Sequence, residues 1–225
     1  MIDPGELLAL RIVLDKRGRI LRSNEPPPND RVPRLAMIRS ATSCAWALRA
    51  DVDDAVAAQL AELANSEPPM RELRDVPVHA ARYRELLGGA IDSGPSFAFP
   101  DTLPSEPLVE LDALAPLVRY LRGWNADELP ERRPILAICD GADAISVCFC
   151  ARRSATAAEA GVDTSASHRG RGLAARVTAA WARAIHASGR TPVYSTSWTN
   201  TASLAVARKL GLVQYATQLN IVDAA

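Results

Sequence analysis

Residues 159–174 read Glu159-Ala160-Gly161-Val162-Asp163-Thr164-Ser165-Ala166-Ser167-His168-Arg169-Gly170-Arg171-Gly172-Leu173-Ala174. A strand-like run leads into a loop with two glycines, and the clearest helical pattern in the chain follows. Leu173, Val177, Trp181 and Ile185 recur every four residues and form one apolar stripe over Gly172 to Ala187. A helix N-terminus carries unpartnered N–H groups and a partial positive charge. Gly170 and Gly172 remove side chains that would keep an anion away, and Arg169, Arg171 and His168 add positive charge. That construction suits a phosphate or pyrophosphate. The plainer alternative is a tight strand-to-helix turn with solvated arginines. No Gly-x-x-x-x-Gly-Lys-Ser/Thr occurs, which excludes a P-loop. The third glycine of the dinucleotide fingerprint is missing, and the preceding hairpin is antiparallel rather than βαβ.

Working outward, Pro134–Cys139 predicts a strand, Asp140-Gly141 a tight turn and Ala144–Ala151 the returning strand. Ala157–Val162 predicts another strand. Downstream, Val193–Ser197 is expected as a strand, Thr201–Leu210 as a helix ended by Gly211, and Leu212–Val222 as a final strand. The order β-β-β-α-β-α-β predicts an α/β (α+β) layered fold with one mixed, mostly antiparallel sheet flanked by helices. Before it, Leu108 opens a short strand and a helix expected to run to about Arg122.

Fifteen of the 16 prolines precede residue 135, so the first part holds most of the turns, including 25–30 and 66–69. Leu8–Leu14, a turn at Lys16–Arg19 and Ile20-Leu21 suggest a hairpin. Arg34–Arg49 leans to strand. Asp51–Asn65 and His79–Ile91 predict helices, and 94–101 reads as a linker carrying Phe97 and Phe99 as buried anchors. The division expected is an N-terminal α+β segment over 1–100 and a second domain over 101–225.

The chain has 225 residues, 26 Lys plus Arg and 26 Asp plus Glu, and no net charge, which excludes a general polyanion binder such as a nucleic-acid protein. Only Lys16 and Lys209 are lysines against 40 alanines, a bias read as a GC-rich bacterial genome. No apolar run reaches the ~18–20 residues of a membrane span, and the first residues lack a signal-peptide pattern, so a cytoplasmic protein is expected. Cys44, Cys139, Cys148 and Cys150 complete no metal-ligand spacing; free thiols and no metal are expected.

The order of elements and two motifs resemble the GNAT superfamily of acyl-CoA-dependent N-acyltransferases over about residues 105–222. One is Val162-Asp163-Thr164 followed by Arg169-Gly170-Arg171-Gly172-Leu173-Ala174. The other is Asn200-Thr201-Ala202-Ser203 followed by Ala205–Leu210 and Gly211-Leu212. The resemblance implies acetyl transfer from acetyl-CoA to a primary amine, borne by a small molecule or peptide, by direct attack in a ternary complex. Val162 and Thr164 would offer backbone groups to the pantetheine arm, and residues Arg169, Gly170, Arg171, Gly172, Leu173 and Ala174 would hold the pyrophosphate. Asn200 and Ser203 would contact the arm or cap the next helix. Two departures stand out. Ser167 replaces a common Gln or Arg, and Ala207 stands where many members carry a tyrosine acid, leaving Tyr194 and Tyr215 as candidate acids. Glu159 is the candidate base, with a structural ion pair as the alternative. Residues 1–100 are expected to shape the acceptor pocket. A CoA-binding regulatory module without turnover is the rival reading, and a nucleotide-binding module a third.

Overall fold

The computed structural model describes residues 1–28 and 31–224. In chain order the elements begin with α1 (Pro4–Arg11), β1 (Ile12–Leu14), β2 (Ile20–Ser23), β3 (Leu35–Ser40) and β4 (Cys44–Leu48). Next come α2 (Asp54–Asn65), α3 (Ala80–Leu87), β5 (Ala90–Ala98), β6 (Val109–Glu110), α4 (Leu129–Arg132) and β7 (Leu136–Asp140). The remainder are β8 (Asp143–Arg153), β9 (Ala157–Thr164), α5 (Leu173–Ala187), β10 (Thr191–Ser195), α6 (Thr201–Lys209) and β11 (Val213–Val222). The chain forms two units: Met1–Ser96, Thr196–Thr199 and the segment from Gln214 onward make the first, and Phe97–Ser195 with Asn200–Val213 the second.

In the first unit β3 lies between β4 and β11, antiparallel to both. Its core gathers Leu35, Met37, Leu48, Leu60, Tyr83, Leu87 and Ile221. One buried carboxylate organises the chain between α2 and α3. Glu67 accepts the amides of Val78 (3.0 Å) and His79 (2.8 Å) and the Tyr83 hydroxyl (2.9 Å). Burial that is matched by three donors is tolerated, whereas an unmatched carboxylate would be costly.

The second unit is a mixed, mostly antiparallel sheet flanked by helices. Strands β6 to β9 pair antiparallel in sequence order, and β9 then pairs parallel with β10. Side chains alternate between faces along each strand. Cys148, Cys150 and Ala158 pack with Val177, Trp181 and Ile185 of α5 on one face. Ala137 and Val147 pack with Leu117, Leu129 and Ile135 on the other. Phe97 and Phe99 are core residues of this unit, grouped with Tyr194. All four cysteines are free thiols; burial pushes the Cys150 thiol up to about 11 and holds the Cys148 thiol well above the usual thiol range. Among the described residues no helix is long and apolar enough to cross a membrane.

The expectations for the elements before residue 123 need correction at five places. Leu8–Arg11 belong to α1, not to the hairpin, because Asp3 caps the amides of Gly5 (2.7 Å) and Glu6 (3.0 Å) and Pro4 starts the helix. Arg34–Arg49 is two antiparallel strands separated by a turn in which Ser40 Oγ accepts from the Thr42 and Ser43 amides. The helix expected from 79 to 91 stops at Leu87, where Gly88 takes φ 68°, and Ile91 already lies in β5. Residues 94–98 are strand rather than linker: the carbonyls of Ser93 and Pro95 receive the Trp198 and Thr196 amides at 3.1 and 3.2 Å. The helix expected to Arg122 is a run of turns, since the Pro116 carbonyl is taken by the Ala144 amide (2.8 Å). Of the proline-rich turn at 25–30, Asn29 and Asp30 lie outside the described residues.

Replacing the α1 cap, Asp3→Ala, removes two side-chain hydrogen bonds to the first turn and lowers stability by about 1 kcal/mol in urea unfolding. An unchanged midpoint would contradict the capping assignment.

Candidate functional site

The site grows from the way β9 leaves β10. Their register runs Thr191↔Ala157, Pro192↔Ala158 and Val193↔Glu159, and no further. Strand β9 nevertheless continues for five residues to Thr164, and β10 for two to Ser195. The Thr191 amide donates to the Thr156 carbonyl (2.8 Å), and the Ser165 amide donates to Ile145 on β8 (2.9 Å). Backbone direction alternates along a strand, so even-numbered residues of β9 face β10 and odd-numbered ones face β8. Beyond the last register pair, the Ala160 carbonyl, the backbone groups of Val162 and the Thr164 N–H therefore face the opening between the parted strands. Backbone groups in such a place need a partner from solvent or from a ligand.

Beyond Thr164 the chain makes a single 3₁₀ turn over Ala166–His168 and reaches the glycines. Gly170 (φ 77°) and Gly172 (φ 75°) both occupy the left-handed region, which a side chain would strain. Gly172 caps α5 without any side-chain hydrogen bond, and the first turn of α5 holds no acidic residue. Cations gather here instead. Arg169 Nε donates to the Thr164 carbonyl (3.3 Å), and Arg171 reaches the Ser167 carbonyl (3.5 Å). Lys209, at the end of α6, brings its ammonium directly over Gly172, where a Cβ would collide with Nζ. Three cations beside the positive end of a helix oppose the usual charge preference of that position. An anion at the α5 N-terminus relieves that opposition.

Sequence reading gave Lys209 no role at this loop. Its signal was the lysine of the second motif, but only the packing of α6 against α5 (Ala175 and Ala179 with Val206 and Leu210) brings its amine to the loop. His168 turns toward Ser165 and Ser167, at 3.3 and 2.9 Å, and stacks edge-on with Tyr120.

The remaining candidates are distributed as follows. Glu159 is 1% exposed and sits at the last position of β9 that is paired with β10. Its Oε2 accepts from Arg152 (2.8 Å), while its Oε1 accepts from the hydroxyl of Ser195. Arg152 compensates the charge that burial would otherwise penalise. Tyr194 is buried with Ala207 and Phe97, and its hydroxyl lies 2.5 Å from Ser203 Oγ; burial pushes its pKa up to about 12. The Asn200 side chain accepts from the Ser203 amide (3.0 Å) and so caps α6. Ser203 thus joins the α6 cap to the Tyr194 hydroxyl. Tyr215 lies on β11, within the first unit. Ala207 is enclosed in the core.

Residues 136–217 match a family model described as GNAT acetyltransferase. That match supports membership of the GNAT superfamily for this part of the chain. A GNAT-family acetyltransferase from Colwellia psychrerythraea aligns at 14% identity and a TM-score of 0.50, covering 79% of this chain and 76% of that one. At that identity the likeness is one of fold. A GCN5-related N-acetyltransferase-like protein from Streptococcus suis aligns at 16% identity, TM-score 0.49, over 86% of each chain. A GNAT-family protein from Novosphingobium aromaticivorans aligns at 19% identity, TM-score 0.48, over 60% of this chain. That match spans 66% of the Novosphingobium chain, just under two thirds. No curated protein matches. The GNAT family and fold support acyl transfer in general terms.

A buried tyrosine with a raised pKa favours the folded state only while it stays protonated. The stability it contributes is complete below about pH 10, its usual value, and is lost as pH rises toward 12. Tyr194→Phe therefore flattens the alkaline fall in stability between about pH 10 and 12, measured by thermal unfolding across that range. An identical alkaline fall in the variant would contradict the burial argument.

Proposed function

We propose that this protein is an N-acetyltransferase that moves the acetyl group of acetyl-CoA to a primary amine by direct attack within a ternary complex. The observation that carries the reading is the parting of β9 from β10 after three register pairs, beside a cation-rich glycine loop. A pantetheine arm contains amides that hydrogen-bond as a strand does. Val162 and Thr164 would pair with it through their backbone groups, while amides of Arg169, Gly170, Arg171, Gly172, Leu173 and Ala174 hold the pyrophosphate. Arg169, Arg171 and Lys209 add charge-assisted contacts. Asn200 and Ser203 contribute by fixing the first turn of α6.

On this reading chemistry needs little more than proximity, a route for one proton and a dry thioester. The amine nitrogen attacks the thioester carbonyl, the C–N bond forms, and the C–S bond breaks. The acceptor is a small molecule or a peptide amine. Glu159 is the group proposed to take up the amine proton.

Titration calorimetry with CoA tests the binding half. Arg171→Ala and Lys209→Ala each remove one charge-assisted contact, about 1.5–3 kcal/mol, and weaken binding by roughly one to two decades. Gly172→Trp abolishes it, through φ and through collision with Lys209. Full CoA affinity in a folded Gly172→Trp protein would end this reading. Thiol release from acetyl-CoA across a panel of primary amines tests turnover, and firm CoA binding with no release would favour a binding module.

A further inference from the structure

Resting on the acetyltransferase reading, we propose that Ser195 is the catalytic proton carrier of this site, with Glu159 behind it as a positioning residue that stores the proton. Glu159 cannot meet an amine itself. It is 1% exposed, and its two oxygens are engaged by Arg152 and by the Ser195 hydroxyl. Ser195 is half-buried and is the last residue of β10. Glu159 holds the last registered position opposite Val193, and Ser195 lies two residues further on, so both side chains stand on one face where the strands part. Tyr194, one residue earlier, points to the opposite face and is committed to Ser203 and the core around Ala207. Ser195 is thus the polar group that joins the opening to the buried carboxylate.

The proton balance closes with no added reagent. Attack of the neutral amine on the thioester carbon forms the C–N bond and places a positive charge on nitrogen. One N–H proton passes to Ser195 Oγ as Oγ passes its own proton to Glu159 Oε1. Collapse breaks the C–S bond and leaves a thiolate, which takes a proton from Ser195 as Glu159 returns its own. The products are the amide and the free thiol, and the dyad ends as it began. One relay thereby serves both as base and as acid, which accounts for a core alanine at 207 in place of a tyrosine.

The test compares wild type, Ser195→Ala, Ser195→Thr, Glu159→Gln and the double variant, as full-length proteins, by thiol release with the best amine of the panel and by CoA calorimetry. Ser195→Ala is expected to lower kcat by ~10²–10³-fold, with CoA affinity and the KM for acetyl-CoA unchanged. Its residual rate should climb with pH as the free amine increases. Ser195→Thr should restore most of the rate, and the double variant should be no slower than Ser195→Ala, because residues acting as one unit are not additive. Wild-type turnover with an unchanged kcat in Ser195→Ala overturns the relay alone. A fall shared equally by CoA affinity and kcat also overturns it, in favour of a structural serine. Absence of release with every amine in the wild type overturns the relay and the acetyltransferase reading together.

Discussion

A parallel strand pair that stops after three register positions leaves the facing backbone groups of the longer strand without their sheet partner. In this protein that strand is β9, and the groups beyond its ladder with β10 are the Ala160 carbonyl, the backbone groups of Val162 and the Thr164 N–H. An unfinished ladder is a structural liability unless something strand-like completes it, since backbone donors and acceptors are obligatory. The adjoining α5 N-terminus poses a matching electrostatic demand. It carries no acid and no side-chain cap, yet Arg169, Arg171 and Lys209 surround it. An extended chain of amides ending in phosphates answers both demands. The burial of Val177, Trp181 and Ile185 holds α5 in place against that local repulsion.

How much of this was legible in the sequence follows from the range of the interactions. From Pro134 onward the second unit was readable because its signals are local: the four-residue stripe of α5, the Asp140-Gly141 turn and the glycines before Leu173. The N-terminal elements were harder because their punctuation is ambiguous. Asp3-Pro4-Gly5-Glu6 is a capping box that opens the short helix α1, yet its Pro4-Gly5 pair is also turn chemistry. Gly94-Pro95 reads as a breaker, while in the fold Gly94 lets the Thr196 backbone approach without a Cβ in the way. The turn at 41–43 depends on the Ser40 hydroxyl, and nothing in the alternation of 34–49 marks it.

The site divides along the same line. The glycine loop and the face of β9 that carries Val162 and Thr164 are sequence-local. Lys209 and Ser195 are not. Each reaches the site through a crossover whose length sets a register that no window of sequence contains. The ion pair of Glu159 with Arg152 is a cross-strand contact shifted by the irregularity in β8 between Cys150 and Arg152. Counting along either strand from sequence alone misses that shift. Burial then decides the chemistry. In the proposed relay a carboxylate this enclosed serves through a neighbour, and the Ser195 hydroxyl that donates to it is that neighbour.

The central claim is that the coenzyme arm completes the unfinished edge of β9 and ends on the glycine loop. Backbone amide resonances followed during a CoA titration test it most directly. The account predicts large, saturable shifts at the amides of Val162, Thr164 and Gly170–Ala174, with the amides of Gly161 and Asp163, which face β8, moving least within β9. Saturable CoA binding that leaves those resonances in place and moves another set would contradict it.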